Sequence, residues 1–335
     1  ERSPAVTSSP LNEPPFWPHR LLPGGHLQTL ASVLWPSGPD ATGPVQRRVV
    51  LPDGDQLVLQ DDAPAAWPTD GKAALLVHGL AGSHASPYMR RIAARLLERG
   101  VRVFRLDLRG AGAGVGLAKL PYHAGRSDDV RAAIAAIHEL CPRARLTLVG
   151  FSLGGNIALK LAGEVGAARL GGLERVMAVS PPVDLAACIH GLATPVGRLY
   201  DTYFLRMLLR QMHERSGSEP DAARPSWPRR PRGLFEFDDW YTAPVSGFGD
   251  AANYYRQSSA LQFLPEIALP TLILAARNDP LVASRPLESA RLPAKVRTLI
   301  TAGGGHLGFL ARRGNDPDRR WMDWRVVEWV TGERV

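Results

Sequence analysis

Short apolar runs of strand length alternate with longer segments of helical periodicity over most of the sequence, from Ala73 almost to its end. Such alternation is typical of a mostly parallel sheet with helices on both faces, because parallel neighbours need a crossover connection. The sequence therefore predicts an α/β fold in a single domain that spans 1–335. The predicted strands are 73–77, 101–106, 146–149, 176–179, 271–276 and 296–301, and the predicted helices are 89–97, 127–140, 153–162 and 319–330.

Three segments depart from this alternation. Residues 1–44 are Pro-rich and aperiodic, which predicts an N-terminal extension packed on the core. A hairpin is predicted next, at 45–60, around an Asp-Gly turn. The alternation also breaks at 184–265, where one amphipathic stretch, 196–212, precedes a region rich in Pro, Arg and aromatic residues. An insertion of this kind between two strands predicts a lid or cap over the sheet.

The chain is basic, with 40 Lys and Arg against 32 Asp and Glu and a net charge of +8. No RRM, KH or zinc-finger pattern is present, and the Arg cluster at 229–232 lacks interleaved aromatic residues. A solvated basic surface is therefore preferred over nucleic-acid binding. A basic surface also suits anionic lipid, so peripheral contact with a membrane stays open as an alternative.

Several simple features of the sequence bear on the cellular location of the protein and on metal binding. No run of 18 apolar residues is present, so no membrane-spanning helix is predicted. The two cysteines, Cys141 and Cys188, are too few for a disulfide framework and lack the spacing of metal ligands. The first residues also lack the apolar core of a signal peptide. Together these features predict a cytoplasmic protein without a metal site.

The most informative motif is Gly150-Phe151-Ser152-Leu153-Gly154, which matches G-x-S-x-G between a predicted strand and a predicted helix. In that context the serine occupies a sharp turn that lifts its hydroxyl clear of the sheet. The tight turn requires very small residues two positions away on either side, and both are glycine. The amide-rich start of the helix also favours negative charge beside the serine. The motif predicts Ser152 as a nucleophile, with an incidental serine in a glycine-rich turn as the alternative.

A serine hydroxyl is a weak nucleophile without a base, and three of the nine histidines follow Ser152: His190, His213 and His306. Where G-x-S-x-G opens a helix in this way, the triad partners follow in the order acid, then histidine. His190 and His213 fall in the inserted segment. His306 lies in a glycine-rich loop just after the strand predicted at 296–301, so His306 is the predicted base.

The acid that orients the histidine is expected between the nucleophile and the base, directly after a strand. Asp279 follows the strand predicted at 271–276. It is predicted to accept the second imidazole N–H and to stabilise the imidazolium. The alternative is an ordinary turn aspartate before a proline. Asp184 and Asp250 are weaker candidates because they lie in or beside the insertion.

An oxyanion hole needs two backbone N–H groups, one from the residue after the nucleophile and one from the loop after an early strand. Leu153 fills the first position. The segment 78–80 (His-Gly-Leu) follows the first of the alternating strands, which predicts Leu80 as the second donor and His78 as a buttress of the loop. The glycine-rich segment 110–116 is predicted to be a loop, because its spacing does not match the dinucleotide-binding pattern G-x-G-x-x-G.

Further short motifs accompany the G-x-S-x-G motif, which itself lies within GFSLGGN (150–156): GHLQT (25–29), HGLAGSHASPYMR (78–90), LRG (108–110), YHAG (122–125), FDD (237–239), YTAP (241–244) and NDP (278–280). With these motifs, over 16–330, the sequence resembles the YheT-like branch of the α/β-hydrolases, which includes eukaryotic abhydrolase-domain lipases. The resemblance implies an α/β-hydrolase fold, a triad of Ser152, Asp279 and His306, and hydrolysis of carboxylic esters without a metal or cofactor. The segment 111–116 (AGAGVG) departs from the family, which often has a more polar stretch there, and this concerns the rim of the substrate pocket.

Several alternatives stay open beside a small-molecule esterase. A non-catalytic binding or scaffold protein has the same fold, and acyl transfer or thioester cleavage uses the same triad. The aromatic-rich insertion predicts a pocket for an apolar acyl group, or else only the insertion's own core. His26 and His123 fall within family motifs and are predicted to have structural or pocket-wall roles.

Overall fold

The computed structural model describes residues 15–34, 43–218 and 227–334, in which eight strands form one sheet. Strand β2 is antiparallel to both of its neighbours, and the other adjacent pairs are parallel, so the predicted mostly parallel sheet is confirmed. The strands are β1 (Val45–Val50), β2 (Gln56–Asp62), β3 (Lys72–Val77), β4 (Arg102–Asp107), β5 (Arg145–Phe151), β6 (Leu173–Val179), β7 (Thr271–Ala276) and β8 (Val296–Thr301), arranged in the order β1-β2-β4-β3-β5-β6-β7-β8.

Helices connect the strands and cover both faces of the sheet. Short 3₁₀ segments at Gly112–Gly114 and Ala260–Glu266 and a π-helical turn at Asp238–Thr242 are also present. The α-helices are α1 (Gly25–Leu34), α2 (Pro87–Leu97), α3 (Ser127–Leu140), α4 (Leu153–Val165), α5 (Leu185–Leu192), α6 (Gly197–Ser218), α7 (Leu234–Phe237), α8 (Ala243–Val245), α9 (Ala251–Ser258), α10 (Arg285–Glu288) and α11 (Trp321–Thr331).

Strand β3 illustrates how the core forms on two faces. Its residues Ala73, Leu75 and Val77 pack in one apolar cluster with α3 and α4. The alternate residues Ala74 and Leu76 pack on the opposite face with α2 and α11. Because successive side chains of a strand point to opposite faces, a strand buried on both faces is apolar throughout. The continuous apolar runs in the sequence are central strands for this reason.

The carboxyl ends of β5, β7 and β8 determine where the polar side chains meet. These strands are parallel, so their last residues lie at the same edge of the sheet. Ser152 directly follows β5, Asp279 follows β7 after two residues, and His306 follows β8 after four. Ligands bind at this edge in open α/β sheets. The topology therefore gathers three residues that are far apart in the sequence.

Helices α5 to α9 and the second 3₁₀ segment all lie between β6 and β7, in the segment predicted as an insertion. The predicted amphipathic stretch 196–212 falls within α6. Leu192, Leu234 and Leu281 form a small apolar cluster of their own, so the inserted helices contact the loop after β7. A lid function for 184–265 stays a prediction. In the described parts of the chain, no helix combines the length and hydropathy needed to cross a bilayer.

The N-terminal segment differs from the prediction, because α1 is a helix within a stretch expected to be aperiodic. Its buried residues are Gly25 and Gln28, whereas Leu27 and Leu30 are about half exposed. A helix that buries a glycine and an amide lacks the usual apolar stripe toward the core, so its periodicity is not visible in the sequence. Residues 1–14 and 35–42 of the predicted extension lie outside the described residues.

Buried ion pairs join α2 to α11. Asp323, which is 1% exposed, accepts hydrogen bonds from Arg91 (2.9 Å) and from Arg95. Replacing one partner of a buried pair leaves uncompensated charge, so we expect Asp323→Ala to lower the free energy of unfolding by about 3–5 kcal/mol. Urea unfolding measures this change. The control is Glu333→Ala, which removes an exposed pair with Lys72 and is expected to cost less than about 1 kcal/mol; equal effects of the two variants would contradict the expectation.

Candidate active site

The G-x-S-x-G segment forms a strained turn between β5 and α4. Ser152 has φ 50° and ψ −119°, a conformation that is costly for a residue with a side chain. A Cβ added at Gly150 would lie 2.2 Å from the carbonyl oxygen of Gly154, and one at Gly154 would lie 2.4 Å from that of Val77. The two glycines are therefore a steric requirement of the turn that presents the serine.

Ser152, His306 and Asp279 form one hydrogen-bonded row. Nε2 of His306 lies 2.9 Å from Oγ of Ser152, and Nδ1 of His306 lies 2.8 Å from Oδ2 of Asp279. The His306 side chain is 8% exposed and that of Asp279 is 2% exposed. A carboxylate at Nδ1 favours a proton there and leaves Nε2 free to accept the serine proton. This geometry suits nucleophilic chemistry at Ser152.

Backbone groups fix the orientation of the acid. Oδ1 of Asp279 accepts hydrogen bonds from the amides of Leu281 (2.8 Å) and Val282 (3.0 Å). Its other oxygen is thereby directed toward His306. The turn conformation predicted as an alternative role for Asp279 is thus present together with the contact to the imidazole.

Helix α1 holds the loop that carries His306. The backbone N–H of His306 donates to Oγ1 of Thr29 (2.8 Å), and Oε1 of the fully buried Gln28 accepts from the amide of Leu310 (2.7 Å). The amide of Gly305 donates to Oδ1 of Asn278 (3.0 Å). The sequence alone does not predict these roles of Gln28, Thr29 and Asn278, although all three lie in motifs that carry the family resemblance. The motifs were the only available signal, because these contacts join distant parts of the chain.

The two predicted oxyanion donors lie beside the nucleophile. A Cβ added at Gly79 would lie 3.0 Å from Cβ of Ser152, so the loop after β3 approaches the serine closely. Leu80 and Leu153 both line the cavity at Ser152. Among the described residues, no acceptor is found for the amide N–H of Leu80 or of Leu153. Both donors are therefore available to a bound ligand.

The neighbouring amides of the same loop are occupied. The amide of Gly79 donates to the Tyr88 hydroxyl (3.0 Å), and the amide of Ala81 donates to the Tyr122 hydroxyl (2.7 Å). The loop is thus anchored on both sides of Leu80. Anchoring of this kind keeps a donor oriented before a ligand arrives, which is the requirement for electrostatic stabilisation of an oxyanion.

His78 also holds this loop in place, through contacts with the backbone. Its ring is fully buried, with Nδ1 2.8 Å from the carbonyl oxygen of Gly79 and Nε2 accepting from the amide of Leu108 at 3.3 Å. Burial lowers the pKa of His78, which keeps the ring neutral. Both ring nitrogens are engaged with backbone, so His78 has the geometry of a support for the loop and not of a base.

An apolar cavity of about 90 Å³ opens at the nucleophile. It contains one thiol, Cys188, and burial raises the pKa of that thiol to about 12, so it stays protonated and unreactive at neutral pH. Among the described residues, the one carboxyl group in its lining is that of Asp238, which accepts from the Tyr255 hydroxyl at 2.9 Å. Most of the wall is aliphatic or aromatic, including Leu80, Leu185, Leu192, Phe204, Leu208 and Leu234.

Asp238 makes the stability of the protein depend on pH. Burial in the cavity wall, with a smaller contribution from the charge of Asp201, raises the pKa of Asp238 from 3.8 to about 6. Between pH 4 and 6 the folded protein keeps a proton that the unfolded chain has lost, so this group lowers stability as pH rises. We expect the free energy of unfolding of the wild type to fall by about 2–4 kcal/mol relative to Asp238→Asn over this range. The free energy of unfolding is measured by chemical denaturation at pH 4–7. The same dependence on pH for the wild type and for Asp238→Asn would contradict this expectation.

The competing residues named from the sequence lie away from the row. Asp184 and Asp250 each accept a backbone amide at a helix start, from Ala187 and Asn253, and so act as N-caps of α5 and α9. His190 is exposed and contacts a carbonyl oxygen of its own helix. His213 is an exposed residue of α6.

The two motif histidines take different positions. His26 of α1 contacts the Tyr200 hydroxyl at 2.9 Å and stacks on that ring, so it joins the N-terminal segment to the inserted helices. His123 lines a second cavity, which shares Leu80 and Leu153 with the first, together with Tyr122 and Gln211. Burial lowers the pKa of His123 well below its usual value, so the ring is neutral. Neither histidine contacts Ser152.

Comparisons with known proteins agree with this architecture. The model of the alpha/beta hydrolase family matches residues 74–319. The chain is 31% identical over 322 residues to the YheT protein of Escherichia coli (strain K12), named as a candidate esterase, with 94% of this chain and 93% of that protein covered. It is 27% identical over 295 residues to the monoacylglycerol lipase of Saccharomyces cerevisiae, with 85% of this chain and 63% of that protein covered.

A solved structure gives the same picture of the fold. The Pyrococcus furiosus esterase Pf2001 is similar with a TM-score of 0.54 at 15% sequence identity, and the match covers 88% of this chain and 94% of that one. The family match spans most of the chain, and the identity to YheT extends over nearly all of it. This chain is therefore a member of the alpha/beta hydrolase family and belongs to its YheT-like branch.

Proposed function

We propose that this chain hydrolyses carboxylic esters, with Ser152 as nucleophile, His306 as general base and acid, and Asp279 orienting the imidazole. One observation carries the proposal, namely the continuous row of hydrogen bonds, 2.9 Å from Ser152 to His306 and 2.8 Å from His306 to Asp279. Such a triad is recognised by geometry and not by position in the chain. The relatives named as a candidate esterase and a lipase support the reaction class.

In the first half-reaction, Oγ of Ser152 attacks the ester carbonyl carbon as Nε2 of His306 takes the hydroxyl proton. The carbonyl π electrons move to the oxygen, and the amides of Leu80 and Leu153 donate to the resulting oxyanion. When the tetrahedral intermediate collapses, the bond to the alkoxy group breaks and His306 gives its proton to the leaving oxygen. The alcohol leaves and the acyl group stays on Ser152.

In the second half-reaction, water replaces the alcohol. His306 takes a proton from the water, the hydroxide oxygen attacks the acyl carbon, and the same two amides receive the oxyanion. Collapse breaks the bond to Oγ, and the proton on His306 returns to Ser152. The carboxylic acid is released and the enzyme is restored. Asp279 stabilises the imidazolium in both halves without taking a proton.

The substrate we propose is a small-molecule ester with an apolar acyl group. The cavity at Ser152 has a mostly aliphatic and aromatic wall, which disfavours a charged group and favours hydrocarbon. We also propose that the segment 184–265 acts as a lid, since its helices α5 and α6 contribute Leu192 and Phe204 to that wall. An acyl transferase or thioesterase would use the same residues, so product analysis with added alcohol and with thioesters is part of the test.

A fluorophosphonate probe tests this function directly. The probe phosphonylates an activated serine, so we expect one adduct on Ser152, located by peptide mass spectrometry. Adduct formation should remove turnover of p-nitrophenyl butyrate in proportion. Failure of the wild type both to react with the probe and to turn over any ester from acetate to palmitate would favour a binding or scaffold protein instead.

A further inference from the structure

The cavity at Ser152 is small for the ester of a long-chain acid. Its volume is about 90 Å³, whereas pockets that enclose ligands commonly measure roughly 300–1,000 Å³. A short acyl group fits between the nucleophile and the wall formed by α5 and α9. A longer group needs a continuation of the cavity.

A larger apolar groove lies behind that wall. It has a volume of about 700 Å³ and is formed by α5, α9 and the 3₁₀ segment after α9. Phe235, which is 50% exposed, forms part of its lining together with Ala252 and Leu261. Its lining also includes the charged side chains of Asp184 and Arg256.

Two residues, Ile189 and Tyr255, line both the inner cavity and the outer groove. The wall between the two spaces is therefore one side chain thick at these positions. Tyr255 is fixed, because its hydroxyl donates to Asp238 at 2.9 Å and its ring packs against Tyr254. Ile189 has no such polar anchor and is half-buried. Because a β-branched side chain in a helix is stiff at χ1, a rotation about χ2 that moves the Cδ1 methyl is the simplest way to join the two spaces.

The second cavity adjoins the cavity at Ser152 and offers different chemistry. It shares Leu80 and Leu153 with that cavity and contains the polar side chains of Arg109, Tyr122 and Gln211. A polar alcohol group suits that cavity, and a hydrocarbon chain suits the wall at Ile189. This difference orients an ester whose carbonyl carbon lies at Ser152.

We propose that the groove formed by α5 and α9 is a subsite for the distal part of a medium- or long-chain acyl group, and that Ile189 controls entry to it. The proposal rests on the ester hydrolysis proposed above. It concerns binding alone, because the reacting atoms and the triad are unchanged. The acyl chain passes Ile189 and Tyr255, and its methylenes move out of water into the apolar groove.

The test is a chain-length profile with p-nitrophenyl esters from acetate to palmitate. Each methylene that the groove buries is expected to raise kcat/KM by about fourfold for the wild type, up to the length of the groove. Ile189→Trp fills the passage, so we expect the ratio of kcat/KM for dodecanoate to that for butyrate to fall at least tenfold. Ile189→Ala widens the passage and should shift the optimum toward longer or bulkier acyl groups.

Two further variants locate the effect. Ala252 lies in the groove beyond the passage, so Ala252→Trp should lower kcat/KM only for the longest acyl chains. The chain length above which kcat/KM falls is therefore expected to be greater for Ala252→Trp than for Ile189→Trp. Val245→Trp places the same side chain on an exposed position of the insertion outside both spaces, and its profile should match that of the wild type. Thermal melting of each variant checks that it is folded.

Three results would overturn the subsite. The first is a profile for Ile189→Trp that runs parallel to the wild type at every length. The second is an Ile189→Ala optimum that does not move, and the third is a Val245→Trp profile that changes as much as that of Ala252→Trp. Failure of the proposed function looks different, because then no ester is hydrolysed by the wild type and the fluorophosphonate does not react with Ser152.

Discussion

Replacing Ser152 with alanine is expected to lower kcat on p-nitrophenyl butyrate by about 10⁶-fold, with little change in stability. Without Oγ no covalent intermediate forms, and the residual rate comes from the two oxyanion donors and from substrate binding. Steady-state kinetics at high enzyme concentration measures the change, and circular dichroism confirms the fold.

Ser180→Ala is the matched control. Ser180 also follows a strand, has a positive φ of 48° and is buried, and no hydrogen-bond partner is found for its Oγ among the described residues. The kcat of Ser180→Ala is expected to stay within about threefold of the wild-type value. The reason is that the hydroxyl of Ser180 is not part of the hydrogen-bonded row of Ser152, His306 and Asp279. A Ser152→Ala enzyme that keeps more than a hundredth of the activity would contradict the assignment of the nucleophile.

Replacing Asp279 with asparagine is expected to lower kcat by about 10⁴-fold. The amide has nearly the same shape as the carboxylate, so the backbone contacts from Leu281 and Val282 can persist on its oxygen. Its NH₂ group then faces Nδ1 of His306, which favours the tautomer with the proton on Nε2. In that tautomer the imidazole cannot accept the proton of Ser152, and the imidazolium loses its negative partner.

Asp250→Asn separates this effect from a general loss of an aspartate. Asp250 is, with Asp184, a weaker candidate from the sequence for the acid that orients the histidine. It caps α9 by accepting the amide of Asn253 at 2.7 Å. Asparagine is an equally good cap, so activity and stability should stay near the wild-type values. Loss of activity in Asp250→Asn with retention in Asp279→Asn would reverse the assignment of the acid.

The sequence predicts the central sheet well because its strands are buried on both faces. The runs at 73–77 and 271–276 are apolar throughout, and the strands that they form differ from these bounds by at most one residue. The site follows from topology, because parallel strands bring their carboxyl ends to one edge. The contact of Ser152 with His306 is therefore predictable although 154 residues separate them.

Other features are not encoded in local pattern. Helix α1 exposes leucines and buries Gln28, so it lacks the stripe by which a packed helix is recognised. Its contact through Thr29 with the backbone of His306 joins residues 277 positions apart and has no spacing rule. The wall shared by Ile189 and Tyr255 arises from the packing of separate inserted helices, which periodicity does not predict.

Capture of the covalent intermediate is the decisive measurement. Wild-type enzyme mixed with a slowly deacylating ester and quenched in acid within one turnover should gain the mass of one acyl group, and peptide mapping should place it on Ser152. The acyl group should appear at the rate of alcohol release and disappear at the rate of acid release. Turnover of the ester without any acylated Ser152, or with the acyl group on another residue, would contradict the mechanism.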